Sequence, residues 1–124
     1  MSTRACYIFK DQYGEYAVYK HHDGYPQGAR GHIAAAAAVA WPLPRYEADE
    51  FGAAFVAANK PHDGGVRLIN GSWESFPADI EYAYVIEPSG RGLKVTGYSV
   101  TDGGRGRREL VDTWEIAPKE SVTA

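Results

Sequence analysis

The chain has 124 residues, of which 44% are hydrophobic and 23% are charged, and this composition excludes a disordered protein. The length suffices for one domain, so we expect residues 1–124 to form a single domain with a flexible tail from about residue 118. The formal net charge of -3 excludes general nucleic-acid binding, which needs a basic surplus, and it is too small for a carboxylate-rich DNA mimic. Because Cys6 is the only cysteine, neither an internal disulfide nor a cysteine-based zinc site can form.

The first two elements are predicted to be strands. Segments 5–10 and 15–21 are rich in aromatic and β-branched residues and alternate in polarity. The residues between them, from Asp11 to Gly14, have the composition of a turn. This pattern predicts a β-hairpin.

A helix is predicted next, at about residues 27–40. Pro26 suits the first turn of a helix, because its missing N–H needs no partner there. The alanine run at 34–38 has the highest helix propensity of any residue type. The prolines in the segment 41–44 are expected to end the helix.

A second helix is predicted at about residues 47–60. Its acidic first turn suits the positive end of the helix dipole, and the segment 59–61, which ends in proline, is expected to stop it. Four apolar residues of this helix form one stripe, which we expect to face the sheet. They are Ala48, Phe51, Phe55 and Ala58.

The second half of the chain returns to strands, which are predicted at 66–69, 80–86, 93–100 and 110–116. The resulting order is β-β-α-α-β-β-β-β. Because strands cluster on either side of a helical pair, we expect an α+β fold with a single antiparallel β-sheet of about five or six strands and both α-helices packed on one face. No apolar segment has the length of a signal sequence or a membrane span, so we expect a cytoplasmic protein that does not bind membranes.

The tripeptide His-Asp-Gly occurs twice, at 22–24 and 62–64. Imidazole and carboxylate ligands suit zinc, iron or nickel, so one alternative is a small metal-dependent enzyme that uses both loops. Asp-Gly is also an ordinary turn dipeptide, and the spacing does not by itself bring the ligands together. We therefore expect no metal and no cofactor. The residues of the metal-enzyme alternative are His21, His22, Asp23, His62 and Asp63.

No nucleophile is activated by its neighbours in the sequence. Cys6 lies inside a predicted strand without a nearby histidine, so we expect a small buried hydrophobe there. Ser72 and Ser75 lack a Gly-x-Ser-x-Gly turn. The glycine-rich loops at 90–92 and 103–106 join strands instead of opening a helix. We therefore assign no catalytic residue and expect binding rather than catalysis.

Aromatic residues make up 13% of the chain, which is more than a core of this size buries fully. Exposed tyrosine and tryptophan are enriched at binding interfaces, and the arginines of one hairpin tip can hold an anion or an acidic partner surface. Because function tends to reside in loops, we predict that three loops contact a partner. The candidate residues are His21, His22, Asp23, Tyr25, Trp73, Arg105, Arg107 and Arg108.

Three segments in the first half of the chain resemble small proteins encoded by bacteriophages and prophages. They are MSTRA at 1–5, YKHHDGYPQGA at 19–29 and AWPLPRYEADEF at 40–51. The resemblance implies a phage origin and the cytoplasm of a bacterial host, and it carries over no catalytic residue.

Small phage proteins without enzyme motifs often act by binding a host protein, an analogy about a class. We therefore expect a non-enzymatic phage accessory protein that binds a host macromolecule, and an inhibitor of a host defence system is one form of it. Besides the metal-dependent enzyme, a second alternative is a protein that sequesters a small anion or a nucleotide signal.

Overall fold

The computed structural model describes residues 2–40, 46–62, 64–90 and 92–117. Its elements follow the predicted order. The strands are β1 (Ala5–Lys10), β2 (Glu15–Lys20), β3 (Arg67–Ile69), β4 (Tyr82–Ser89), β5 (Gly92–Val100) and β6 (Arg108–Ile116), and the helices are α1 (Pro26–Val39) and α2 (Ala48–Asn59). Short 3-10 turns lie at Lys60–His62, Trp73–Ser75 and Asp102–Gly104. The prolines expected to end α1, Asp63 of the repeated tripeptide and the tail from 118 lie outside the described residues.

The six strands form one sheet in the order β3-β2-β1-β4-β5-β6, so the α+β class with a single sheet is confirmed. Neighbouring strands are antiparallel except β1 and β4, which pair in parallel from Ala5 with Tyr82 to Phe9 with Ile86. The sheet is therefore mixed, where the sequence analysis expected an antiparallel one. The connection explains the difference, because β2, both helices and β3 lie between β1 and β4 and give the chain the length that a parallel crossover needs.

Both helices pack on one face of the sheet, as predicted. Three residues of the apolar stripe of α2, Ala48, Phe51 and Phe55, are buried there, and Phe55 is 0% exposed. The fourth, Ala58, is half-buried. The ring of Tyr7 in β1 lies 4.5 Å from the ring of Phe55 and 5.1 Å from the ring of Tyr84 in β4, measured between centroids. This aromatic contact joins α2 to the two central strands.

A charged contact holds α1 over the far edge of the same face. Arg30 donates hydrogen bonds of 3.0 and 2.9 Å to the two carboxylate oxygens of Asp112 in β6. The Arg30 guanidinium also lies 4.3 Å from the centre of the Trp114 ring. Because Arg30 hydrogen-bonds the ionised carboxylate, the pKa of Asp112 is lowered.

The opposite face of the sheet carries a second, smaller apolar layer, which the sequence analysis did not assign. Phe76 and Ile80, from the segment between β3 and β4, pack with Cys6 and Ile8 of β1. Burial raises the pKa of the Cys6 thiol to about 12, so the thiol stays protonated at neutral pH. The expectation of a buried hydrophobe at this position is confirmed.

The turn between β1 and β2 caps the beginning of α2. One carboxylate oxygen of Asp11 accepts hydrogen bonds from the amides of Tyr13 and Gly14, at 2.8 and 3.1 Å. The other accepts a 2.9 Å hydrogen bond from the amide of Ala48, one of the first-turn amides that have no partner within a helix. These hydrogen bonds lower the pKa of Asp11. The bond from Ala48 contributes most, and the bond from Tyr13 contributes the next largest part.

Replacing Phe55 with alanine should lower the free energy of unfolding by about 3–5 kcal/mol, because a buried ring is lost and a cavity is left behind. Urea unfolding followed by circular dichroism measures the loss. The control is Val39→Ala, at a position of α1 that is 55% exposed, which should change the free energy by less than about 0.5 kcal/mol. A loss below about 1 kcal/mol for Phe55→Ala would show that the ring does not support the core.

Asp11→Ala should lower the free energy of unfolding at neutral pH by about 1 kcal/mol, the usual loss for a helix cap. A carboxyl group whose pKa is lowered by folding stabilises the protein above its unfolded pKa of about 3.9, and this contribution is lost as the pH falls through the folded pKa. The difference between the wild type and the variant should therefore shrink in acid.

Urea unfolding at a series of pH values tests this second prediction. Glu50→Gln removes a negative charge from the same turn of α2 and serves as the control, because no hydrogen bond from the Glu50 side chain joins α2 to the β1–β2 turn in the described residues. A stability difference for Asp11→Ala that is the same in acid as at neutral pH would contradict the role of the ionised carboxylate.

Candidate functional site

The turn from His21 to Tyr25 is fixed against the central strands. The amide of Gly24 donates a 2.8 Å hydrogen bond to the carbonyl oxygen of Thr3, and its carbonyl oxygen accepts a 2.5 Å hydrogen bond from the Tyr84 hydroxyl. A Cβ atom at Gly24 would lie 2.5 Å from the Cβ atom of Ala5, so the position requires glycine. The backbone contacts therefore set the directions of the side chains on either side of Gly24.

The two neighbouring histidines of this turn have different partners. The Nδ1 atom of His21 lies 2.8 Å from the hydroxyl oxygen of Tyr19, which belongs to the layer opposite the helices. The Nδ1 atom of His22 lies 3.2 Å from the Oγ atom of Ser2. The two imidazoles meet edge to face, with their centroids 4.7 Å apart, and only His22 lines a cavity among those described below.

A cavity of about 480 Å³ lies between this turn, α1 and the C-terminal end of α2. It joins the two His-Asp-Gly loops, because His22 and Asp23 of the first copy and His62 of the second copy line it together. We call it the histidine pocket. Its polar lining residues are Lys20, His22, Asp23, His32, Asn59 and His62.

A shared pocket is not yet a metal site. In the ranges that the structure describes, no group of three or more His, Cys, Asp or Glu side chains is placed to hold a metal ion. Asp63, which belongs to the proposed ligand set, lies outside those ranges. The absence of a metal therefore stays a prediction.

Hydrogen bonds hold the inner wall of the histidine pocket. The Lys20 side chain is buried, and its ammonium donates a 3.0 Å hydrogen bond to the carbonyl oxygen of His22. The Asn59 amide nitrogen donates to the carbonyl oxygens of Phe55, at 2.9 Å, and His32, at 3.3 Å. Since these bonds join β2 to the first loop and α2 to α1, the pocket is supported by the fold itself.

One imidazole of the pocket contacts the aromatic core. The Nδ1 atom of His32 lies 3.4 Å from the hydroxyl oxygen of Tyr7. The pKa of Tyr7 is raised well above its usual value, mainly by burial and to a smaller extent by the neighbouring Tyr84 and Asp23. This hydroxyl therefore stays protonated. The side chain of His32 is thereby connected to the stack that joins the helices to the sheet.

The arginine-rich hairpin tip contacts the loop that carries Trp73. One guanidinium nitrogen of Arg105 donates hydrogen bonds to the carbonyl oxygens of Trp73 and Phe76, at 2.8 and 2.9 Å. The Arg108 guanidinium lies 3.8 Å from the centre of the Trp73 ring, a cation–π distance. Arg105 and Arg108 therefore bind this loop within the chain itself.

Arg107 differs from its two neighbours. Its side chain is 63% exposed, and its charged contact is a 3.9 Å approach to Glu109. A surface ion pair of this length contributes little to stability. Of the three arginines, Arg107 is therefore the one without a contact to the Trp73 loop among the described residues.

A third feature, which the sequence analysis missed, is an apolar groove between α2 and the strands β2 and β3, with a volume of about 370 Å³. Leu68 of β3 pairs with Val18 of β2, and its side chain is 79% exposed. We call this feature the apolar groove. Its apolar lining includes Phe9, Tyr16, Val18, Gly52, Val56 and Leu68, and Asp49 lies in the same lining.

The apolar groove exists because β3 is short and lies at the end of the sheet. α2 rests on β1 and β2, so the described chain leaves the helix side of Leu68 uncovered. The available signal was the isolated Leu68-Ile69 pair between polar segments, which is typical of a short edge strand. None of the eight candidate residues from the sequence lines this groove.

The eight candidates therefore do not form one surface. His22 and Asp23 line the histidine pocket, while Trp73, Arg105 and Arg108 form a separate cluster that packs against the other face of the sheet. The remaining members belong to neither set. They are His21, which contacts Tyr19 and the His22 ring without lining the pocket, and the exposed residues Tyr25 and Arg107.

No model of a protein family, no curated protein and no solved structure matches the chain. In the described ranges, no helix combines the length and the apolar character that crossing a membrane requires. The candidate functional features of the described chain are therefore the histidine pocket, the cluster of Trp73, Arg105 and Arg108, and the apolar groove.

Arg105→Ala should lower the free energy of unfolding by about 2 kcal/mol, because charge-assisted hydrogen bonds to the Trp73 loop are lost and its carbonyls lose their donor. Limited proteolysis should also cut the segment 72–76 faster. Arg107→Ala is the matched control, since it removes the same charge two residues away without breaking a bond to the loop, and it should leave both measurements unchanged. Equal effects of the two substitutions would contradict the structural role of Arg105.

Proposed function

We propose that this protein is a phage accessory protein that works in the bacterial cytoplasm by binding a host protein, and that the apolar groove is its binding surface. Components of host defence systems are the first class of partner to test. The observation that carries the proposal is the exposure of Leu68 at 79% beside an apolar groove of about 370 Å³. An exposed apolar site of this kind is typical of a protein-binding surface.

The position of β3 supports one mode of binding. β3 is the last strand of the sheet and pairs only with β2, so its outer backbone edge has no strand partner in the described chain. An extended segment of a partner can add to such an edge by backbone hydrogen bonds, and its alternate side chains then fill the neighbouring pocket. The apolar groove lies directly beside that edge.

The lining of the apolar groove supports a partner of one kind of chemistry. Tyr16, Val56 and Leu68 offer apolar contacts, and Asp49 places a carboxylate in the same lining. We therefore propose a partner segment that inserts a leucine-sized side chain and carries a basic residue beside it. The resemblance of the first half of the chain to phage proteins supports a host partner.

The predicted outcome is that Leu68→Asp weakens binding to the host partner by about 2 kcal/mol or more, the loss expected for a central contact. The tagged protein and its variants are incubated with host lysate, and captured proteins are quantified by mass spectrometry. The purified candidate is then titrated directly. Because Leu68 is exposed, the variant should keep the thermal midpoint of the wild type.

Leu110→Asp is the matched control, because Leu110 is also exposed, at 59%, but belongs to β6 at the opposite edge of the sheet. Capture that is equal for the wild type and both variants would contradict the groove as the binding surface. Tyr25→Ala tests the turn predicted from the sequence in the same assay, since Tyr25 lies outside the apolar groove.

The metal-dependent enzyme remains the competing function, because His22, Asp23 and His62 share the histidine pocket. Elemental analysis of the purified protein decides between them. About one zinc, iron or nickel ion per chain, lost in a His22→Gln, His62→Gln double variant, would support the enzyme. Our expectation is that no metal is present in a stoichiometric amount.

A further inference from the structure

Gly31 occupies an unusual place in α1. Glycine inside a helix is less stable than alanine, because it loses more conformational freedom on folding. Yet a Cβ atom at Gly31 would meet nothing within 4 Å, whereas a Cβ atom at Gly28 would lie 2.2 Å from the carbonyl oxygen of Asp23. Packing therefore requires glycine at Gly28 and does not require it at Gly31.

Gly31 is exposed and is one of the residues that line the histidine pocket. Gly31 lines the pocket together with Ala35, one turn further along α1, and Ala58 of α2. Small side chains on both helices thus leave room next to the polar groups. At about 480 Å³, the pocket falls within the range of cavities that hold small ligands.

The polar lining of the pocket contains more nitrogen groups than carboxylates. Among the described residues, Lys20 contributes an ammonium, and His22, His32 and His62 contribute imidazoles. One carboxylate, that of Asp23, and one side-chain amide, that of Asn59, share the lining. Ammonium and imidazolium groups are strong donors to phosphate oxygens, whereas a carboxylate accepts hydrogen bonds from hydroxyl groups.

We propose that the histidine pocket binds a small phosphate monoester that also carries hydroxyl groups, such as a sugar phosphate or a nucleoside monophosphate. The phosphate lies against Lys20 and the imidazoles, and the hydroxyl groups lie toward Asp23. Gly31, Ala35 and Ala58 provide the room for the sugar. This site is separate from the apolar groove and does not depend on the protein partner proposed above.

Isothermal titration calorimetry of the full chain with ribose 5-phosphate tests the site. Inorganic phosphate and ribose alone show which half of the ligand contributes, and adenosine 5′-monophosphate shows whether a base adds affinity. We expect ribose 5-phosphate to bind more tightly than ribose or inorganic phosphate. The double variant His22→Gln, His62→Gln should weaken this binding about tenfold or more, since it removes two of the imidazoles that line the pocket.

Two further substitutions separate ligand binding from folding. Gly31→Leu fills the open space and should abolish binding, while Gly31→Ala should raise the thermal midpoint, because nothing opposes the added methyl group. Lys94→Gln is the control, since Lys94 is an exposed cation of β5 that does not line the pocket, and it should bind ribose 5-phosphate like the wild type. Leu68→Asp should also keep this binding, so the two proposals can fail independently.

Three results would overturn the proposal. The first is that ribose 5-phosphate does not bind to the full chain. The second is that the double variant and Gly31→Leu, if folded, bind as tightly as the wild type. The third is that zinc alone binds in the pocket through these histidines and excludes the phosphate ester.

Discussion

The stack of Tyr7 on Tyr84, with Phe55 against it, is the contact on which both the fold and the histidine pocket depend. The rings lie 4.5 to 5.1 Å apart, between centroids, and join β1, β4 and α2. Each tyrosine hydroxyl also reaches a functional element, since Tyr7 contacts His32 and Tyr84 holds the carbonyl oxygen of Gly24. A buried hydroxyl needs a partner, and here the partners are the pocket and the turn. The packing that stabilises the core thus also positions the site.

Helix positions and the main core could be predicted because they depend on local spacing. The stripe of Phe51 and Phe55 has a helical period, and the alternating segments have a strand period. The parallel pairing of β1 with β4 could not be predicted, because alternation shows which side chains share a face and not which strand lies beside it. The second layer was not predicted, because Phe76 lies in a segment without a period. Ile80 was predicted to begin the strand at 80–86, but β4 begins at Tyr82 and Ile80 packs in the opposite layer.

The candidate sites were also predicted only where a local sequence motif marks them. The repeated His-Asp-Gly tripeptide indicated His22, Asp23 and His62, and the fold does bring these three residues to one pocket. The other polar members of that pocket, Lys20, His32 and Asn59, carry no motif, and only the crossing of α1, α2 and β2 unites them. The apolar groove could not be predicted from any motif. Leu68 indicates a binding surface only once the positions of α2, β2 and β3 around it are known.

The parallel pairing of β1 with β4 also has a consequence for the order of events during synthesis. β1 lies in the interior of the sheet, with β2 on one side and β4 on the other. The hairpin and both helices leave the ribosome before β4 does, so one long edge of β1 stays open until Tyr82 to Ile86 have emerged. Open strand edges pair readily with other chains, and contacts between distant parts of a chain form slowly. The nascent protein therefore passes through an interval in which β1 is shielded on one edge only, and a chaperone that holds emerging chains would protect it until the sheet closes.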